Sequence, residues 1–75
     1  MFAVYLLSQD KYYIDNITYG NVNDNFQRHV DGNGGNITRM YRPILIIETI
    51  DNQNITIDEI INRYISFYGN QNVYF

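Results

Sequence analysis

The feature that most constrains the fold is an amphipathic helix pattern near the C-terminus. Thr56-Ile57-Asp58-Glu59 forms a capping box, in which the Thr56 hydroxyl and the Glu59 carboxylate satisfy free N–H groups of the first turn. Apolar residues then recur at i, i+3, i+4, i+7, i+8 and i+11: Ile57, Ile60, Ile61, Tyr64, Ile65 and Tyr68. Gly69 is predicted to end this helix. A stripe of this spacing packs onto a sheet, so the rest of the chain must supply an apolar sheet surface.

Three segments have the composition of strands. Phe2 to Leu7 and Tyr12 to Thr18 are rich in strand-forming residues and are separated by a short polar stretch, which predicts a β-hairpin. Ile44 to Ile50 follows Pro43, a residue that cannot continue a helix. Because Ile44 to Ile50 is mostly apolar, we expect this third strand to be central or covered on both faces.

A shorter helix is predicted near residues 22 to 31. Asn21 or Asn23 can cap its start, and its apolar residues recur every four positions: Val22, Phe26 and Val30. Gly32 lies just past its end, in a turn-rich loop over residues 31 to 36. The predicted architecture is therefore α+β, a single domain over residues 1–75. It has a small three-stranded antiparallel sheet flanked by two helices, in the order β-β-α-β-α.

Length and charge restrict the partners. A domain of 75 residues buries only about 60% of its unfolded surface, so a partner covering part of its aromatic surface is expected. The net charge of −3 is opposite to that of a chain that grips nucleic acid through phosphates. Arg28, Arg39 and Arg42 nevertheless fall close together in sequence, beside His29, and predict a weak local basic patch. We expect a protein partner first and DNA second, with no small-molecule ligand.

Several classes of site and location are set aside by what the chain lacks. It has no cysteine, which excludes disulfides, thiolate metal sites and cysteine nucleophiles. Its longest aliphatic run, Ile44 to Ile47, is far shorter than the roughly 20 residues that span a bilayer. No positively charged start precedes an apolar leader segment. The chain is expected to be intracellular, neither secreted nor bound to a membrane.

Two tyrosine-bearing segments carry a resemblance to a known family. Ala3-Val4-Tyr5 and Tyr13-Ile14-Asp15, followed by Phe26-Gln27-Arg28-His29, resemble the motifs of GIY-YIG nucleases in order and spacing. Asn33-Gly34-Gly35 and Tyr64 to Gly69 are similar to later segments of that family, the second in a subgroup common in large DNA viruses. The resemblance implies the same element order over nearly the whole chain.

The resemblance also implies site residues. In active members the tyrosine of the first motif, here Tyr5, is thought to activate a water, and the tyrosine of the second, here Tyr13, lines the same pocket. His29 aligns with the family's histidine. These three residues are the inherited pocket, and Arg28, Arg39 and Arg42 are the candidate nucleic-acid contacts.

Three positions depart from the family's pattern. The backbone glycine, the catalytic arginine and the metal-binding glutamate are replaced by Asp15, Asn25 and Ile61. A carboxylate about 4 Å from a phosphate oxygen costs about 4 kcal/mol at an effective dielectric constant of about 20. Losing an arginine aimed at a phosphoryl transition state costs about 10³ to 10⁵ in rate. An isoleucine cannot bind Mg²⁺.

Three hypotheses follow. The first is a catalytically inactive GIY-YIG-like domain reused as a binding or structural component, in a large DNA virus particle, a virus factory or a nucleoprotein assembly, with no cofactor. The second is a divergent endonuclease that uses Mg²⁺ and rearranged roles for Tyr5, Tyr13, His29, Arg28 and Asp58. The third is a nucleic-acid-binding protein that does not cleave. A carboxylate of Asp58 or Glu59 placed beside Tyr5 and Tyr13 would favour the second hypothesis over the first.

Overall fold

Four strands, three α-helices and two short 3-10 helices, Ser8–Asp10 and Asn70–Asn72, make up the computed structural model, which describes all residues from 1 to 75. The strands are β1 (Phe2–Leu7), β2 (Tyr12–Asn16), β3 (Pro43–Ile50) and β4 (Val73–Tyr74). The helices are α1 (Val22–Val30), α2 (Asn36–Met40) and α3 (Ile57–Tyr68). The predicted α+β class, the N-terminal hairpin and the two longer helices are confirmed.

The sheet is mixed and has four strands, so the predicted three-stranded antiparallel sheet is wrong. Its strand order is β3-β1-β2-β4. β1 pairs antiparallel with β2 and β3, whereas β4 pairs parallel with β2 through Tyr12↔Val73 and Tyr13↔Tyr74. β4 has two residues, too few for an alternating pattern to reveal it. The third helix, α2, was also missed, because its five residues are too few to establish a helical apolar repeat.

β3 lies at an edge of the sheet, which contradicts the central or doubly covered position expected from its apolar run. Ile44, Leu45 and Ile47 are 56%, 45% and 38% exposed. The pairing with β1 shifts register at two points, between Val4 and Tyr5 and between Leu6 and Leu7. Several apolar side chains of this strand therefore lie at the protein surface.

The two longer helices begin at the caps that the sequence indicates. The Asn21 side chain accepts a hydrogen bond from the Asp24 N–H at 2.9 Å, and the Thr56 hydroxyl accepts one from the Glu59 N–H at 3.3 Å. At its other end α3 stops at Gly69, which has a φ of +92° and donates its N–H to the Ile65 carbonyl. None of the three helices combines the length and the apolar character needed to cross a membrane.

Helices cover both faces of the sheet and create two apolar clusters. α3 packs on one face, where the buried residues are Val4, Ile14, Ile60, Ile61, Tyr64 and Val73. α1 and α2 pack on the other face, around Ala3, Tyr5, Leu7 and Ile17. Successive strand residues point to opposite faces, so Tyr5, Tyr13 and Asp15 all lie on the face that α1 and α2 cover. The candidate site lies between these layers.

Candidate functional site

Four elements each contribute one polar side chain to a buried cluster, which we call the Tyr5 network. Its members are Tyr5 on β1, Asp15 on β2, His29 on α1 and Thr38 on α2. The antiparallel register places Tyr5 opposite Tyr13 and Ala3 opposite Asp15, so the Tyr5 ring and the Asp15 carboxylate lie diagonally on one face. Tyr5 is 0% exposed, and the other three members are between 2% and 8% exposed.

Short polar contacts connect the four side chains. The Tyr5 hydroxyl donates to Asp15 Oδ2 at 2.7 Å, and His29 Nδ1 lies 2.8 Å from Thr38 Oγ1. His29 Nε2 lies 3.4 Å from Asp15 Oδ2, within ion-pair range, but it makes no hydrogen bond of good geometry. Asp15 therefore accepts a hydrogen bond from Tyr5 and lies within ion-pair distance of His29.

The network favours the ionised form of Asp15. Burial acts to raise the pKa of its carboxyl, but the contact with His29 and the hydrogen bond from Tyr5 outweigh that effect. The charge of Arg28 adds to them, and the net result is a pKa below the ordinary value of an aspartate. A buried carboxylate that stays charged must keep its partners, because each lost partner leaves part of its desolvation uncompensated.

The same environment holds the proton on Tyr5. Burial, then the hydrogen bond to Asp15 and its negative charge, raise the pKa of the Tyr5 hydroxyl far above its ordinary value. Burial and the negative charge of Asp15 also raise the pKa of the Tyr13 hydroxyl. Unlike the Tyr5 hydroxyl, it makes no hydrogen bond that adds to this effect. Neither phenol is prepared to give up a proton near neutral pH.

Aromatic rings fix the orientation of Tyr5. Phe26 and His29 meet its ring edge-on, with centroids 5.0 Å and 5.5 Å away, and Tyr13 stacks beside it at 6.3 Å. The His29 ring is in turn held by the backbone at Gly34, where a Cβ atom would overlap its Nδ1, Cγ and Cε1 atoms. The glycine at this position is a packing requirement of the buried histidine.

Asn25, at the position of the family's catalytic arginine, has a structural role here. Asn25 Nδ2 donates to the carbonyls of Tyr19 at 3.0 Å and Asn21 at 2.8 Å, and its Oδ1 accepts from Arg28 at 3.0 Å. These bonds tie the start of α1 to the segment after β2. An open depression of about 420 Å³ lies here and is lined by Asn16, Thr18, Tyr19, Gly20, Asp24, Asn25 and Arg28.

Ile61, at the position of the family's metal-binding glutamate, lies on the face of the sheet opposite the Tyr5 network. Ile61 is 8% exposed and packs with Val4 and Ile14 under α3. Asp58 and Glu59 are exposed in the first turn of the same helix. No carboxylate of α3 therefore joins Tyr5 and Tyr13, and no group of three or more His, Cys, Asp or Glu side chains is placed to hold a metal ion.

The three candidate arginines surround the C-terminal half of α1. Arg28 is on the helix itself, the Arg42 guanidinium donates to the Val30 carbonyl at 3.3 Å, and the Arg39 stem would contact a Cβ atom at Gly32. Arg39 also bonds Asn36. Cations at a helix C-terminus interact favourably with its dipole, which gives these exposed arginines a structural reason to cluster. Their predicted contact with nucleic acid stays a prediction.

Comparison with known proteins adds no relative: no family model matches the chain, and no curated protein or solved structure matches it significantly. The GIY-YIG resemblance thus rests on the quoted motifs. The structure brings Tyr5, Tyr13 and His29 together, as the resemblance implies, with ring centroids of Tyr13 and His29 5.1 Å apart.

Sequence reasoning missed how the site is held. Asp15 was identified as a departure from the family pattern, but not as the acceptor of the Tyr5 proton. The alternation Tyr13, Ile14, Asp15 was the available signal, because it puts the carboxylate on the tyrosine face. His29 is buried at 2% exposure, a property that its place near the end of α1 does not reveal. Nothing in the sequence marks Thr38 as its partner, because the two meet only when α2 packs on α1.

Proposed function

We propose that this protein is a catalytically inactive GIY-YIG-like domain that serves as a binding or structural component of a larger assembly. The observation that carries the proposal is the bond from the Tyr5 hydroxyl to Asp15, made by a tyrosine that is fully buried. In an active member this phenol would act on a water beside the scissile phosphate. Here its oxygen is directed at a buried carboxylate.

General base catalysis requires a group that can accept a proton at the working pH and can reach the reacting water. Tyr5 meets neither requirement, since its pKa is raised by burial and by Asp15, and no solvent contacts its side chain. The Asp15 carboxylate is also the charge that would repel a phosphate entering the pocket. Asp15 alone thus disfavours both proton transfer by Tyr5 and entry of a phosphate into the pocket.

The remaining catalytic positions support the same proposal. Asn25 uses its side chain to brace the start of α1, so it presents no cation to a phosphate. Ile61 belongs to the core under α3, across the sheet from Tyr5. The pocket has become a packing unit that connects β1, β2, α1 and α2, and its polar residues stabilise the fold.

A protein partner agrees best with the charges. The chain has a net charge of −3, and each of the three candidate arginines already bonds a neighbour: Arg42 the Val30 carbonyl, Arg28 the Asn25 side chain and Arg39 the Asn36 side chain. Exposed apolar residues on β3 and α3 provide a surface of the kind that partners cover. The setting we propose, a large DNA virus particle or a nucleoprotein assembly inside the cell, is supported by the motif resemblance alone.

A nicking assay tests the proposal directly. Purified protein is incubated with supercoiled plasmid and either Mg²⁺ or Mn²⁺, alongside the variants Tyr5→Phe and Tyr13→Phe. We expect no nicking by any of the three proteins above the buffer control. Nicking that the wild type performs and Tyr5→Phe does not would overturn the proposal.

A gel shift with duplex DNA over a range of salt concentrations separates binding from cleavage. Tight binding that weakens steeply with salt would instead favour the non-cleaving nucleic-acid-binding hypothesis, because phosphate contacts release counterions. Isolation of the native assembly then identifies the protein that this domain contacts.

A further inference from the structure

The face of the sheet opposite the Tyr5 network carries a small groove. It has a volume of about 190 Å³ and lies between the end of α3 and the edge strand β3. Its lining residues are Glu48, Arg63, Tyr64, Phe67 and Tyr68. Three aromatic rings and a carboxylate therefore border one space, which is smaller than the roughly 300 Å³ at which pockets for drug-sized ligands begin.

The aromatic walls come from one helix face. Tyr64, Phe67 and Tyr68 stand at i, i+3 and i+4, a spacing that puts side chains side by side. The Tyr68 centroid lies 5.8 Å from that of Tyr64 and 6.2 Å from that of Phe67, with planes inclined by 33° and 46°. A cation within about 6 Å of a ring centroid is attracted by the ring face, and the two rings here that reach solvent are those of Phe67, 77% exposed, and Tyr68, 41% exposed.

Two of the walls are fixed in place before any ligand arrives. Tyr68 stacks on Tyr12 with centroids 4.0 Å apart and planes at 22°. Tyr64 is 7% exposed and its hydroxyl donates to Glu48 Oε1 at 2.6 Å. Phe67, in contrast, is 77% exposed and contacts Tyr68 with ring centroids 6.2 Å apart. A preorganised site with one free wall loses little entropy when it binds a ligand.

The groove holds one carboxylate and one guanidinium. Glu48 Oε1 accepts the hydrogen bond from the buried Tyr64, which holds the carboxylate in place, and its second oxygen lies 3.5 Å from the Arg63 guanidinium. The Glu48 and Arg63 side chains are 36% and 46% exposed, and an ion pair this exposed to solvent is weak. Arg63 can therefore leave Glu48 when another cation enters, and it marks the charge that the groove already accommodates.

We propose that this groove binds the ammonium head group of a lysine side chain presented by a protein partner. The aromatic faces attract the cation and its methylene stem, Glu48 neutralises the charge, and the exposed ring of Phe67 closes over the stem. Assigning the cation to a protein rests on the proposed binding role. The preference of the groove for an organic cation does not, because the groove lies across the sheet from the Tyr5 network.

The test is an NMR titration of the full chain with tetramethylammonium chloride, at an ionic strength matched with sodium chloride. The comparison compound is neopentyl alcohol, which is similar in shape and uncharged. We expect saturable shifts of the amides of residues 63 to 68 with a dissociation constant of about 1 mM, which corresponds to about 4 kcal/mol. The alcohol should shift them much less. Equal shifts with both compounds, or none with the cation at about 50 mM, would overturn the proposal.

Three variants separate cation binding from hydrophobic contact. Phe67→Leu keeps an apolar side chain but removes the ring face, and should weaken binding about twofold to fivefold. Glu48→Gln retains an acceptor for the Tyr64 hydroxyl while removing the charge, and should weaken binding at least as much. Arg63→Gln should tighten binding up to about fivefold, because it removes the competing cation. Affinity unchanged by both Phe67→Leu and Glu48→Gln would refute the assignment.

A second titration with N-acetyl-lysine amide tests the proposed source of the cation. Shifts of the same amides support a lysine side chain, and their absence, while tetramethylammonium still binds, would assign the groove to a free quaternary amine instead. Plasmid nicking would overturn the proposed function without changing the result of either titration, so the two proposals can be refuted independently.

Discussion

Removing the Tyr5 hydroxyl should destabilise the fold more than its single atom suggests. Tyr5→Phe deletes the donor of a 2.7 Å bond to a buried carboxylate, while the ring and its contacts stay. A hydrogen bond to a charged group contributes about 1.5 to 3 kcal/mol. Asp15 keeps only the longer approach of His29 at 3.4 Å, so we expect a loss of about 2 kcal/mol in the free energy of unfolding.

That loss is large for a chain of 75 residues. At about 0.05 to 0.15 kcal/mol per residue its total stability is about 4 to 11 kcal/mol. A change of about 1 kcal/mol shifts the melting temperature of a domain this size by about 4 to 8 °C, so Tyr5→Phe should lower it by about 8 to 16 °C. Tyr13→Phe is the matched control, because it removes a neighbouring hydroxyl that lacks this bond, and should cost about 0.5 kcal/mol or less.

The pH dependence has a definite sign. The pKa of Asp15 is lowered in the fold, so its ionised form adds stability above the ordinary pKa of about 4. That stability is lost as the pH falls through the lowered folded value. Tyr5→Phe removes a donor that lowers the pKa, so its acid unfolding should begin at a higher pH than that of the wild type, and the difference between the two proteins should shrink once Asp15 is protonated in both.

Urea unfolding followed by circular dichroism, at pH 7 and at steps down to about pH 2, measures these differences. Asp15 itself can be titrated by NMR in both proteins. Equal stabilities of Tyr5→Phe and Tyr13→Phe at pH 7, or an Asp15 pKa that does not rise in Tyr5→Phe, would show that the network is not held by this bond.

Three further outcomes follow from the structure. Burial and a carboxylate partner raise the pKa values of Tyr5 and Tyr64, so both hydroxyls should ionise only on unfolding, and stability should fall above about pH 10. An alkaline titration monitored by tyrosinate absorbance should show this ionisation as a delayed step. A Tyr64→Phe variant whose delayed step equals that of the wild type would contradict this. Gly34→Ala forces a methyl group into the His29 ring and should cost about 1 to 3 kcal/mol in thermal unfolding; the cost should largely vanish in a His29→Ala background, and a full cost there would disprove the overlap. Thr56→Ala removes the cap of α3 and should cost about 1 kcal/mol in urea unfolding, whereas no loss would mean that the cap contributes nothing.

The parts of the fold that were predictable are those with local causes. The caps at Asn21 and Thr56 and the end of α3 at Gly69 follow from backbone groups that need partners within a few residues. The structure has all three, although the Glu59 carboxylate does not make the reciprocal bond of the predicted capping box. β4 was missed because its two residues gain their pairing only from β2, which is distant in sequence. β3 was assigned to the wrong place in the sheet because apolar composition indicates burial only on average.

The candidate site divides in the same way. The resemblance to GIY-YIG nucleases implies a shared pocket for Tyr5, Tyr13 and His29, and the structure places their rings side by side, but their roles depend on what surrounds them. The bond from Tyr5 to Asp15 requires the exact diagonal register of β1 and β2, and the Thr38 contact requires α2, which no local pattern revealed. The strand pattern indicates which face these side chains share, whereas tertiary packing determines which of them are protonated.

The two register shifts along β3 have a consequence for solubility. An edge strand with exposed isoleucines and free backbone groups is a template on which further chains can add, and such strands seed aggregation. Each shift interrupts the regular spacing of those groups, so an incoming strand finds only short stretches with matching geometry. The irregular edge of β3 therefore disfavours extension of the sheet from molecule to molecule.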